Sequence, residues 1–266
     1  MTAVSQAEAA HGSAADGLLA DLESGRRRAA WPDASAPDGW RVDPSVRSDL
    51  LELFTAPGFR EWGLQDAFHF RDRASLPVRG PGPGVRIVPG GTTVRAGAYL
   101  GEGVVIMPPA FVNVAAWVGD RSMVDSHVLI GSCAQVGAGV HIGAGTQLGG
   151  VLEPPGARPV IVEDGAFVGA ACCLLEGVMV GAGAVLGAGV VLTGTSRLFD
   201  LVGEREIRGT PERPLVVPPR SVVVPGGRRL PGAFAAEHGL VQEVALIVKV
   251  RDERTSARTA LEEALR

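Results

Sequence analysis

No stretch of this 266-residue chain runs apolar for 18 residues, so it holds no helix able to cross a bilayer. A basic start ahead of an apolar core is also missing. Glu8, Asp16 and Asp21 stand there instead, which is neither a secretory nor a transit pattern and implies a cytoplasmic protein. Cysteine is scarce: Cys133, Cys172 and Cys173 are an odd number with two adjacent, which excludes a disulfide framework and reads as reduced thiols. Charge of one sign is lacking too. With 25 basic against 29 acidic residues the net charge is −4, and nothing draws nucleic acid or an anionic membrane.

Glycine is plentiful, at 37 residues, and its placement follows a rule. From Val88, every sixth residue is a branched aliphatic: Val94, Leu100, Ile106, Val112, Val118, Val124, Ile130, Val136, Ile142, Leu148. The fourth residue after each is mostly small or β-branched, as at Ala98, Ala116, Ser122 and Thr146, and glycine often follows the aliphatic directly, as at Gly119, Gly131 and Gly143. A helix repeats at 3.6 and a strand at 2, so neither gives six. Hexapeptides of this kind build a parallel β-helix, three to a triangular coil, with the aliphatics stacked inside. After a break at 153–159 the period resumes with Val162, Val168, Leu174, Val180, Leu186, Leu192 and Leu198. Eleven and seven hexapeptides make about six coils. The phase slips by two residues across the break, which implies a small bulged loop.

The fold expected is therefore mainly β: a hexapeptide β-helix over 85–224, a small partly helical N-terminal region with its linker over 1–84, and a C-terminal extension over 225–266. The first dozen residues read as mobile. Leu18, Leu19 and Leu22 followed by Arg26, Arg27 and Arg28 suggest a helix across 17–30. A second helix is expected over 44–54, capped by Asp43 or Ser45, with Val46, Leu50, Leu51 and Phe54 on one face. The charged stretch 199–214 suggests a projecting hairpin, after which Val216 and Val222 resume the phase. Val244–Val250 alternates as a strand, and 255–266 reads as a closing helix.

Asp125 is the sharpest chemical candidate, because it takes the slot after the aliphatic where the repeat usually places glycine. Its alternative reading is a corner residue, since Asp tolerates left-handed backbone nearly as Gly does. Glu176, two positions after Leu174, is either a second acid or solvated surface. His127 and His141 are the two histidines inside the repeat; residues 12, 69 and 238 lie outside it, so three convergent imidazoles for zinc are not available there and no metal is expected. One imidazole suffices for a general base. Cys172 and Cys173 read as nucleophiles or as packed thiols. Arg86 and Arg95, at the coil entrance, can each grip a carboxylate or simply face solvent.

Val105-Ile-Met-Pro, Phe111-Val-Asn, Met123-Val-Asp-Ser, Ile130-Gly-Ser-Cys-Ala-Gln-Val-Gly, Gly149-Gly-Val-Leu-Glu-Pro, Glu176-Gly-Val and Ala245-Leu-Ile-Val-Lys together resemble the tetrahydrodipicolinate N-succinyltransferases. The resemblance covers about 84–224 and the last twenty or so residues; the N-terminal region matches poorly. It implies a left-handed β-helix, a homotrimer with sites between subunits, and the bacterial succinylase route to diaminopimelate and lysine. It implies no resident cofactor, succinyl-CoA or another acyl-CoA as co-substrate, and a small amino dicarboxylate as acceptor. Carried over residue by residue, it puts the family's essential aspartate on Asp125, a surviving second acid on Glu176 and the substrate-carboxylate arginine on Arg86. Arg95 and Ser132 are further candidates for the acceptor, and Gly149, Gly150, Gly169 and Ala170 are the candidates for the acyl-CoA. One string departs. The family reads Gly-Ala-Arg-Ser-Glu-Val-Val-Glu-Gly where this chain reads Gly169-Ala-Ala-Cys-Cys-Leu-Leu-Glu-Gly177, so Ala171 and Cys173 replace an arginine and a glutamate. A relative acting on another amine or acyl group, and an inactive trimeric scaffold, are the competing readings.

Overall fold

The computed structural model describes residues 16–64, 68–80, 82–152, 158–210, 212–252 and 261–262. Its centre is a left-handed parallel β-helix whose strands are mostly two residues long, the second residue pointing inward. Four-residue turns link the strands, so each hexapeptide makes one side of a triangle. Face I stacks the strands beginning at Arg86, Val105, Met123, His141, Phe167 and Val185. Face II stacks those beginning at Thr93, Phe111, Leu129, Gln147, Cys173 and Val191, and face III those at Tyr99, Trp117, Gln135, Ile161, Met179 and Val216. Six strands on each face, with a seventh added to face I by the strand beginning at Ser221, give six coils. Coil-to-coil hydrogen bonds such as Met123 N to Val140 O, 2.8 Å, hold the stack.

The interior is the aliphatic column expected, Val94 through Leu192, closed by the small residues of the fourth slot. Two of these are hydroxylated and buried, and both are satisfied. Ser122 Oγ donates to Gly137 O at 2.8 Å, and Thr146 Oγ1 to Gly169 O at 2.9 Å, so neither incurs an unpaired polar group.

The phase differs from expectation at both ends. Ile87, not Val88, pairs with Ile106, and Val217 and Val223, not Val216 and Val222, pair with Val180 and Leu186. The Pro89-Gly-Gly turn and the inserted segment between Leu192 and Val216 are not whole numbers of hexapeptides, so counting through them lands one residue off. The break after Leu148 is also longer than a small bulge: twelve residues, 149–160, separate Leu148 of face II from Ile161 of face III, where four separate most neighbouring strands elsewhere in the coil.

The N-terminal region lies on the coil. A helix at 16–23 and the helix Pro44–Thr55, whose N-cap Asp43 accepts from Ser45 N at 3.0 Å, bury Leu19, Leu22, Val46, Leu50 and Leu53 against Ala96, Val114, Cys133 and Val151 of the II/III corner. Leu51 is exposed, contrary to the expected face, because Leu53 takes the inward position. Two short antiparallel ribbons, Ala30–Pro32 with Trp40–Val42 and Phe59–Leu64 with Phe68–Arg73, were not anticipated; Ala30 and Trp40 pack on Ile161 and Met179 of face III. The projecting hairpin is Arg197–Asp200 with Arg205–Arg208. Strand Ser221–Arg229 continues face I, then pairs antiparallel with Val241–Val250, which joins the hairpin and covers the last coil. The expected mobile start, and the closing helix except 261–262, lie outside the described residues. No helix among the described residues is long and apolar enough to cross a membrane.

Candidate active site

Most corner turns share one grammar, Glu176 being an exception with a left-handed φ of 54° in the second slot. The first residue of a turn follows the inward aliphatic and lies against the backbone of the next coil: a Cβ on Gly143 would come within 2.7 Å of Ala170 N, and one on Gly131 within 2.3 Å of Gly150 N. Glycine stands here for want of space. The left-handed residue comes two places later, at His127, Gly145, Ala171 and Gly189 along the I/II corner, with φ of 61°, 72°, 55° and 76°. Asp125 therefore holds a first-slot position where no positive φ is required, and corner tolerance does not account for its presence.

At the I/II corner the first slots run Met107, Asp125, Gly143, Gly169, Gly187, and the second slots run Pro108, Ser126, Ala144, Ala170, Ala188. Asp125 is half-buried. Its Oδ1 accepts the Ser126 N–H at 2.7 Å, while among the described residues Oδ2 has no partner. Above it the chain narrows to glycine and alanine. The N–H groups of Ala144, Ala170 and Ala188 carry no hydrogen bond among the described residues, whereas three of the five matching groups at the III/I corner are taken by carboxylates: Glu102 N by Asp120, Ala138 N by Asp164, Ala182 N by Glu163. An open row of amide donors thus rises from a carboxylate with a free oxygen. Such an arrangement can accept a proton at its foot and hold carbonyl oxygens along its length.

The other residues divide by edge. Gly169 and Ala170 share the corner of Asp125. Gly149, Gly150, Ser132 and Glu176 do not; they stack on the II/III corner, where Ser132 is buried at 2% exposure and Glu176 Oε2 accepts Gly194 N at 3.0 Å. Arg95 begins the same corner, and Asp72 of the N-terminal ribbon takes its guanidinium at 2.5 Å, so it is bound to the fold rather than turned toward Asp125. Arg86 lies on face I two coil steps below Met123, roughly 10 Å along the axis. It is exposed and makes no ion pair among the described residues.

His127 is exposed on the turn of Asp125, and His141 stacks on Phe167 at 4.8 Å on face I. Burial pushes the Cys133 thiol up to about 12 and Cys172 to about 11, and it raises Cys173 as well, so none is a thiolate nucleophile at neutral pH. Among the described residues no three His, Cys, Asp or Glu side chains converge on a metal position. Sequence reasoning missed Ala144, whose contribution is an N–H; counting three hexapeptides on from Ser126, next to Asp125, would have found it.

A family model described as the hexapeptide repeat of succinyl-transferase matches residues 159–194. A 2,3,4,5-tetrahydropyridine-2,6-dicarboxylate N-succinyltransferase of Xylella fastidiosa is 37% identical over 254 residues, covering 94% of this chain and 86% of its own. One from Methylorubrum extorquens is 38% identical over 265 residues, covering 95% and 89%. Among solved structures, a hexapeptide transferase family protein from Anaplasma phagocytophilum aligns with a TM-score of 0.44 at 15% identity, over 69% of this chain and 85% of its own.

Proposed function

The chain belongs to the 2,3,4,5-tetrahydropyridine-2,6-dicarboxylate N-succinyltransferase family, and on that premise we propose that it moves a succinyl group from coenzyme A to the nitrogen of the small dicarboxylic acceptor its relatives' name specifies. The observation that carries this reading is Asp125, with one oxygen free, at the foot of the open amide row. The cyclic acceptor has a C=N bond and no N–H, so water first adds across that bond and the ring opens to a primary amine; this amine attacks the thioester carbonyl as Asp125 Oδ2 takes its proton. The oxyanion is held by backbone N–H groups, Ala144 being the nearest along the corner, and collapses with cleavage of the C–S bond; the proton then passes to the leaving sulfur. Amide and free thiol are the products. Acyl-CoA lies along the glycine and alanine of the I/II corner past Gly169 and Ala170, and Arg86 receives an acceptor carboxylate.

Asp125 and the group comprising Ser132, Gly149, Gly150 and Glu176 occupy different edges of the prism, so one chain does not bring them together. We therefore propose a homotrimer acting in the cytoplasm, in which the II/III corner of one copy faces the I/II corner of the next. The coil of 85–224 carries the chemistry, and the flanking parts 1–84 and 225–266 brace it. A second reading is favoured by Ala171, which places a methyl on the Asp125 corner where the resembling string has arginine: a relative with another acyl group or amine. Thiol release from a panel of acyl-CoAs with candidate amines tests both. Fast release with succinyl-CoA and the cyclic dicarboxylate supports the first reading, preference for another pair supports the second, and silence throughout favours a scaffold.

A further inference from the structure

Away from the Asp125 corner, the N-terminal region forms one side of an open pocket of about 480 Å³ against face III and the III/I corner, of a size that suits a small ligand. Its inner wall is Arg28, only 8% exposed, which is unusual for arginine. Nε donates to Gln135 Oε1 at 2.5 Å, and the guanidinium carbon lies 4.0 Å from the Trp117 ring centroid and 5.2 Å from that of Trp40. Its two terminal nitrogens make no hydrogen bond or ion pair among the described residues, although Arg28 lines the cavity. Burial draws its pKa down to about 10, with Asp164 opposing, so it remains a cation at neutral pH.

Opposite stand Asp120 and Asp164. Each spends one oxygen on a backbone N–H, Asp120 on Glu102 at 3.0 Å and Asp164 on Ala138 at 2.8 Å, and keeps the other free among the described residues. A lone anion would meet three carboxylates here, since Glu163, whose oxygens accept from Trp40 Nε1 and Ala182 N, lines the cavity as well, and a lone cation would meet Arg28. A ligand bearing both charges meets a partner for each. Tyr99, stacked on Trp117 at 3.6 Å, supplies an apolar flank for the carbon between them.

We infer that this cavity binds a small zwitterionic amino acid, its carboxylate on the Arg28 guanidinium and its ammonium on Asp164. The inference is independent of the reaction at Asp125. One side of the cavity comes from residues 28–40 and the other from the coil, so an occupant ties the two together and raises the unfolding midpoint.

Calorimetric titration of the full chain with glycine, L-alanine, L-glutamate and L-lysine, and with propionate and ethylamine as the separate halves, tests it. At least one amino acid binds, and the two halves bind at least about tenfold more weakly. Arg28→Gln weakens that binding by at least about tenfold. Asp164→Asn does the same, and it keeps an oxygen for the Ala138 N–H, so it carries the test even where removing Arg28 unfolds the region. The inference is overturned if no amino acid binds at roughly 10 mM, if propionate or ethylamine binds as well as the amino acid, or if folded Asp164→Asn binds as wild type does.

Discussion

The first slot of each corner is decided by the distance to the next coil. Adding one methyl at Gly143 places it 2.7 Å from two backbone atoms, which cannot move without opening the ladder between Ile142 and Val168. Gly143→Ala is expected to cost about 1 to 3 kcal/mol in chemical denaturation, whereas Gly139→Ala, with nothing within 4 Å but a φ of 63°, is expected to cost less, about 1 kcal/mol. Equal losses would show that backbone conformation, not space, sets the slot. The same geometry frames the departures at Ala171 and Cys173. Ala171 is on the corner of Asp125, while Cys173 is on a face II strand, paired with Gln147 and Val191. Only the first therefore bears directly on the Asp125 corner within one chain. Wild type is expected to turn over the usual acceptor, and the double variant Ala171→Arg with Cys173→Glu to change that rate by less than about tenfold, or 1.4 kcal/mol of barrier. A larger gain, seen with a wild type that is inactive on that acceptor, would mark a changed substrate.

At the scale of the element, the hexapeptides were legible because burial imposes the period: an inward Ile142 at 0% exposure is not replaceable by a polar residue without leaving a buried group unpaired. What the period cannot carry is phase through a segment that does not obey it. Hence the one-residue errors at Val88 and at Val216 and Val222, where Pro89-Gly-Gly and the hairpin insertion intervene. Edge assignment was hidden for the same reason. Leu148 on face II is followed by Ile161 on face III with no hexapeptide strand between them among the described residues, so Glu176 falls on the edge of Ser132 and not on that of Asp125. The N-terminal ribbons were not legible because tertiary contact sustains them: strands of three residues at Ala30 and Trp40 have little pattern of their own and are held by Ile161, Met179 and the Trp40 Nε1 hydrogen bond to Glu163 at 2.7 Å. The catalytic candidate itself was legible as an exception to the glycine rule. The open amides beside it were not, since alanine announces nothing about its N–H.

At the scale of the molecule, a coil whose candidate residues fall on two edges implies copies side by side. Sedimentation equilibrium is expected to give three times the 27.5 kDa chain mass, and a stable, active monomer would remove Glu176 and its edge from the site. The account rests most heavily on Asp125. Its φ is not left-handed, and an asparagine there keeps an oxygen for the Ser126 N–H, so Asp125→Asn is expected to fold as wild type while losing its proton acceptor. The decisive measurement is the rate of thiol release from succinyl-CoA by that variant at saturating acceptor, with its unfolding midpoint recorded alongside. An unchanged midpoint with a rate at least about 100-fold below wild type is the predicted result, and a rate above about a tenth of wild type would contradict it.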